Sequence, residues 1–282
     1  MTNNTLLELF DIHKSYKDKV VLAGLKLLLA KNQCVGIVGR NGTGKTTMLK
    51  IISGLLTRFT GTLNTYQHTI SALIDTPVFI NDFTGRENIE YMLDIDLRAK
   101  AVEITNNLGI TDYLDKKVKK YSQGMRQKLA IAMILSTDAD IILLDEPFNS
   151  IDIESTSYII SLINQMKSQN KGIIVVTHNL TRIQTYCDQI YTLKNGILET
   201  YDKMTELNLK QYRIQFETEQ DLLSAQSVLG EYTINIENNN TMLISFNNGN
   251  LPTILKRLSG SNIININENA NVAGDDLMGG PK

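Results

Sequence analysis

Apolar and polar positions alternate from Leu6 to His13, the period-two signature of a half-buried strand, and a polar turn over His13 to Lys19 leads into a second strand opening at Val20. Gln33 to Val38 reads as a short buried strand, and Met48 to Leu56 opens an amphipathic helix. Thr60 to Leu63 is a turn into a short strand, and Ile70 to Ile74 is another, ending at Asp75-Thr76-Pro77. The period then becomes helical from Thr84 to about Leu114, a small insert in the sheet, and Arg126 to Leu135 suits a largely buried helix with Ser122 near its cap. Four branched apolar residues, Ile141 to Leu144, run into Asp145 and Glu146. That pattern predicts a central parallel strand, buried on both faces, that delivers two acids to the carboxyl edge of the sheet, where ligands bind. Ile173 to Thr177 repeats the arrangement and ends in His178, while Gln189 to Leu193 followed by Lys194-Asn195-Gly196 reads as a strand and hairpin turn. The expected fold class is therefore α/β.

From about Met204 the character changes. Strands over Tyr212 to Glu217, Tyr232 to Ile236, Met242 to Phe246 and Ile263 to Ile266 alternate with helices over Glu219 to Leu229 and Pro252 to Leu258. The order β-α-β-β-α-β is the split βαβ of ferredoxin-like domains. It carries no recognisable catalytic constellation, so residues 204–270 are expected to form a small α+β interaction or regulatory domain, with 271–282 as a mobile tail.

Composition narrows the setting. The 282 residues suit one large or two modest domains, and a 42% hydrophobic content is enough for an ordinary packed core. A net charge of −2 gives no global pull toward nucleic acid or an anionic bilayer. Cys34 and Cys187 are far apart in sequence and sit in apolar contexts, which favours reduced core residues over a disulfide, and with them the cytoplasm. The amino terminus lacks the features of a signal peptide, and the longest apolar run, Val20 to Ala30, is broken by Gly24 and Lys26. A soluble chain is expected, whose membrane contact, if any, comes through a partner.

The candidate chemistry begins between the strand at Gln33 and the helix at Met48. Gly39-Arg40-Asn41-Gly42-Thr43-Gly44-Lys45-Thr46-Thr47 fits the phosphate-binding pattern G-x-x-x-x-G-K-[ST], in the strand-to-helix context that the pattern requires. The glycines let successive N–H groups turn inward to a polyphosphate at the positive end of a helix. Lys45 would then reach the β and γ phosphates and the Thr46 hydroxyl would ligate Mg²⁺. The plainer alternative is a glycine-rich turn that binds nothing. For Asp145 and Glu146 it is a pair of acids capping the next helix.

The phosphate loop, Ser122-x-Gly124, the strand ending in Asp145-Glu146, and His178 occur in that order over about residues 5–200. In this the chain resembles the nucleotide-binding subunits of ATP-binding-cassette transporters. The resemblance implies a P-loop ATPase domain over 1–203 with a helical insert at about 84–135. It implies that Asp145 holds Mg²⁺, that Glu146 is the base for the attacking water, and that His178 contacts the γ-phosphate. Tyr16 would stack on adenine. Tyr121-Ser122-Gln123-Gly124-Met125 corresponds to a signature usually close to L-S-G-G-Q, matching at Ser122 and Gly124, which in the family completes the ATP site of the opposite subunit. Asp152 would bridge the two subunits. Asp75 stands where the family usually has glutamine, and a carboxylate there could approach Mg²⁺ through water. With Thr84-Gly85-Arg86-Glu87-Asn88, it is similar to the bacitracin, lantibiotic and drug-exporter branch. The implied protein is an ATPase, with ATP and Mg²⁺ as cofactors, that dimerises with an identical or paralogous ATPase and drives an integral membrane permease from the inner face of the membrane. The alternative is an ATP-gated dimerisation or regulatory protein that moves no solute.

Overall fold

The computed structural model describes residues 4–17, 19–201, 209–229, 233–247 and 251–268. The expected tail at 271–282 and the expected boundary at 203/204 lie outside the described residues. The chain divides into two compact units, Met1–Tyr201 and Asp202–Lys282.

The first unit opens with the hairpin β1 (Thr5–Tyr16) and β2 (Lys19–Ala30), which joins β4 (Thr60–Asn64) in an antiparallel sheet of order β2-β1-β4. Tyr16 pairs with Lys19, so the turn expected over His13 to Lys19 is shorter than the polar run suggested. Polar side chains on a strand are tolerated where one face of an antiparallel sheet meets water, and propensity yields there to pairing. The second sheet has the order β5-β6-β7-β3-β8-β9, comprising β3 (Gln33–Val38), β5 (Ile70–Leu73), β6 (Ile141–Asp145), β7 (Gly172–Thr177), β8 (Gln189–Lys194) and β9 (Ile197–Thr200). Its strands pair in parallel except β9, which returns antiparallel to β8. Every residue of β6 and β7 is buried. These central strands have no solvent face, hence their unbroken apolar sequences.

Four helices shape what surrounds the sheet edge. α1 (Lys45–Ile52) leaves the loop after β3 and buries Met48, Leu49, Ile51 and Ile52. The insert contains α2 (Gly85–Met92), α3 (Ile95–Asn107) and α4 (Gln123–Ser136). Thr84 and Glu87 close a reciprocal capping box on α2, and the Ser122 hydroxyl accepts from Met125 N–H at the start of α4. A further helix not among the expected elements, α5 (Ile153–Ser168), is capped by Asp152 and buries Ile159, Ile163 and Met166 along one face. The short α6 (Leu180–Ile183) follows β7.

In the second unit, β10 (Leu209–Phe216), α7 (Glu219–Val228), β11 (Thr233–Asn238), β12 (Thr241–Asn247), α8 (Leu251–Arg257) and β13 (Ile263–Glu268) follow the expected β-α-β-β-α-β order. The strands form an antiparallel sheet of order β11-β12-β10-β13, which is ferredoxin-like topology. Its own core joins Tyr212, Ile214 and Phe216 of β10 to Leu222 and Ala225 of α7 and Ile254 of α8.

Candidate active site

Two adjacent parallel strands and the loop after a third meet at the carboxyl edge of the larger sheet. The loop from Gly39 is held at its entry by Gly39 N–H donating to the Thr177 carbonyl at the end of β7 (3.3 Å). At its exit Gly44 has φ 109°, and a Cβ there would stand 2.9 Å from Val21 Cγ1 and 3.0 Å from the Val21 carbonyl. Backbone conformation and space thus both demand glycine. Lys45 is buried and its ammonium donates to the carbonyls of Gly39 (2.5 Å) and Arg40 (3.1 Å). The lysine thus ties its own loop into a ring. Burial pulls its pKa below the ordinary lysine value, opposed by the nearby charges of Glu146 and Asp145. The loop encloses a cavity of about 240 Å³ lined by Asn41, Gly42, Gly44, Lys45, Thr46 and Thr47 together with Val21, Asp145 and Glu146.

The acids at the end of β6 differ in setting. Asp145 is buried, and its Oδ2 accepts from the Thr46 hydroxyl at 2.7 Å. Burial pushes its carboxyl above the ordinary aspartate range, with the Thr46 hydrogen bond opposing, so a cation at this edge would favour the ionised form. Glu146 leaves the strand with φ 46°. Its carboxylate is shared between two residues after β7, with the Thr177 hydroxyl on Oε2 (2.9 Å) and His178 Nδ1 beside Oε1 (2.8 Å). Gln127 of α4 donates to the Pro147 carbonyl at 3.3 Å, fixing the chain just beyond.

This arrangement of a phosphate loop facing two strand-end acids has many counterparts. The sequence pattern of the ABC transporter family matches residues 22–149. The chain is 32% identical over 213 residues to the ABC transporter ATP-binding protein NatA of Bacillus subtilis, covering 68% of this chain and 87% of that one. The chain belongs to the ABC transporter family. It is an ATP-binding subunit of that family and an ATPase. The O-antigen export system ATP-binding protein RfbB of Myxococcus xanthus is 35% identical over 193 residues, which is 66% of this chain and 44% of that longer protein. Among solved structures, an ATP-binding subunit of an ABC transporter superposes with a TM-score of 0.65 at 24% identity, covering 72% of this chain and 93% of that chain, a likeness of fold.

The other sequence-predicted residues of this ABC subunit are placed as follows. Tyr16 ends β1 half exposed, with the Lys14 ammonium 4.7 Å above its ring. Arg40 and Thr43 serve the loop itself, since the Thr43 hydroxyl donates to the Arg40 carbonyl at 2.9 Å. Ser122 caps α4, and as the N-cap acceptor it keeps its hydroxyl proton for another partner. Gly124 packs against the loop before α5, where a Cβ would stand 2.5 Å from the Ser150 carbonyl. Asp152 caps α5 through Ser155 N–H (2.8 Å) and meets Lys128 at 2.6 Å, and these partners hold its carboxyl well below the usual range. Its charge is thus engaged within its own chain. The Asp75 carboxylate lies on Lys50 at 2.5 Å, and its backbone N–H faces Asp145 Oδ2 at 3.5 Å.

Three residues at this edge escape the motifs. Thr177 has no signal beyond ending a buried strand, yet it holds both Glu146 and the Gly39 N–H. Val21 lies in an apolar stretch with nothing to separate it from its neighbours. Lys50 sits four residues after Thr46 and so shares its helix face, which was legible in principle.

Proposed function

We propose that the chain hydrolyses ATP in a dimer that sandwiches two nucleotides, and that a separate membrane permease turns closure and opening of that dimer into export of a peptide, antibiotic or toxin. The observation that carries this reading is the convergence of Lys45, Thr46, Asp145 and Glu146 on one loop cavity, with His178 on the Glu146 carboxylate. In it, the loop amides and Lys45 hold the β and γ phosphates, and Tyr16 stacks on the base. Thr46 and Asp145 fit Mg²⁺, because they offer two hard oxygen donors already in contact at 2.7 Å. When bound, the ion neutralises charge on the phosphates. Glu146 accepts the proton of the water that attacks the γ-phosphorus as ADP departs, and Thr177 and His178 aim its carboxylate. Ser122 and Gly124 serve the ATP of the opposite subunit, and Asp152 stands at the junction.

Export is supported by RfbB, whose name places it in an export system. A membrane partner is supported by an apolar cavity of about 260 Å³ beneath the insert, with Val78 and Met92 in its wall, and by Tyr91 and Ile95 exposed on the insert. Among the described residues no helix is long and apolar enough to cross a membrane. In this reading the protein works at the inner face of the membrane through that partner, with residues 204–270 as an interaction or regulatory module. Purification from membranes tests this. An integral membrane protein that co-purifies and stimulates ATP hydrolysis supports transport, whereas a partner set made only of soluble proteins overturns it in favour of ATP-gated regulation.

A further inference from the structure

Four groups close a polar ring at the start of α1. The Thr46 hydroxyl donates to Asp145 Oδ2 at 2.7 Å, and the same oxygen faces Asp75 N–H at 3.5 Å. The Asp75 carboxylate turns the other way and meets Lys50 at 2.5 Å. Lys50 then returns the ring to α1, because it lies four residues after Thr46 on the same helix face. Asp75 has φ 57°, a left-handed conformation uncommon for a residue with a Cβ. Thr46, Asp75, Asp145 and Glu146 all border one cavity of about 290 Å³.

Three acidic residues thus border one cavity, and two of them, Asp145 and Glu146, already carry roles there. A third would raise the affinity for a divalent cation, since ligand charge count tunes such sites. The negative charge of Asp75 is felt at Asp145, where it adds to the upward push on that carboxyl. What diverts it is the ammonium of Lys50. We propose that Lys50 is a positioning residue for the cation half of the ATP site, which keeps the Asp75 carboxylate on α1 and leaves Thr46 and Asp145 as the protein ligands of the metal. Asp75 contributes its backbone N–H to orienting Asp145, and its carboxylate stays off the metal while Lys50 is charged. This deepens the proposed function, because it rests on Thr46 and Asp145 holding the ion.

Binding of Mn²⁺ with ADP to the full chain, followed by loss of the free-ion electron paramagnetic resonance signal, tests this without turnover. Lys50→Met frees the Asp75 carboxylate and should tighten Mn²⁺ binding by on the order of ten-fold, and Lys50→Gln, which keeps a polar stem, should shift it the same way. In an Asp75→Asn background the Lys50 substitutions should change the affinity less than about two-fold. Equal shifts in both backgrounds would mean that Lys50 acts as a general charge, and no shift in either would mean that it diverts nothing; each overturns the proposal. Thr46→Ala and Asp145→Asn report on the underlying assignment. If both bind Mn²⁺ with ADP as the native chain does, the metal ligands themselves are wrong, whatever Lys50 does.

Discussion

His178 Nδ1 lies 2.8 Å from Glu146 Oε1, and the register of two strands sets that distance. Asp145 at the end of β6 pairs with Val176 of β7, so the next residue on one strand and the second on the other emerge side by side at the sheet edge. Glu146 then turns out of the sheet at φ 46°, where the Thr177 hydroxyl holds its other oxygen. A carboxylate fixed at both oxygens is aimed before substrate arrives, which is the condition for efficient proton transfer.

Replacing Glu146 by Gln keeps this shape and removes the base. Turnover of ATP should fall by about 100-fold or more, while ATP still binds and the chain runs as a dimer on gel filtration in its presence. Hydrolysis at the native rate would remove Glu146 from that role.

Thr177→Val keeps the volume and deletes the donor to Glu146. We expect kcat to fall by about ten-fold, the scale of a hydrogen bond to a charged group, with KM for ATP nearly unchanged. Steady-state kinetics decide it: a rise in KM alone would place Thr177 in nucleotide binding instead.

Gly124→Ala separates packing from catalysis. Alanine is the better helix former by about 1 kcal/mol, so in open space the change would stabilise α4. Here the new Cβ would stand 2.5 Å from the Ser150 carbonyl. We therefore expect a net loss of about 1–3 kcal/mol in unfolding measured without nucleotide, and a gain would show that the loop yields.

Asp152→Ala should cost about 1 kcal/mol at neutral pH through loss of the α5 cap. The folded-state pKa of Asp152 is depressed, so the carboxylate stabilises the fold above its ordinary value of 3.8 and loses that effect as pH falls through the folded value. The gap between variant and native stability should accordingly be widest near pH 7 and narrow toward pH 3 and below. A gap independent of pH would assign the effect to packing.

The motifs were legible because each is local. Glycines, lysine and threonine follow one another in the loop, and the two acids follow a run of four apolar residues. The second unit was legible for a similar reason, since its strands and helices alternate with clear periods. What stayed hidden depends on partners far along the chain. Thr177 reads as the last residue of a buried strand, and only the pairing of β6 with β7 brings it to Glu146. The extent of β1 was hidden because its polar end is stabilised by the opposite strand. Helix α5 carries local signals too, with Asp152 three residues before Ser155 and apolar residues at 159, 163 and 166. Cys34 and Cys187, far apart in sequence, lie 3.6 Å apart as free thiols, a proximity that no spacing rule reveals.

The strand order of the larger sheet has a consequence for synthesis on the ribosome. β3, which carries the phosphate loop, is flanked by β7 and β8, so its nearest neighbour in the sheet begins only at Gly172. The ribosome makes that neighbour about 140 residues after β3, a delay on the order of ten seconds. Through that interval the nascent β3 has two open edges, and a truncated chain that stops before β7 would display the loop sequence with no nucleotide site to hold it.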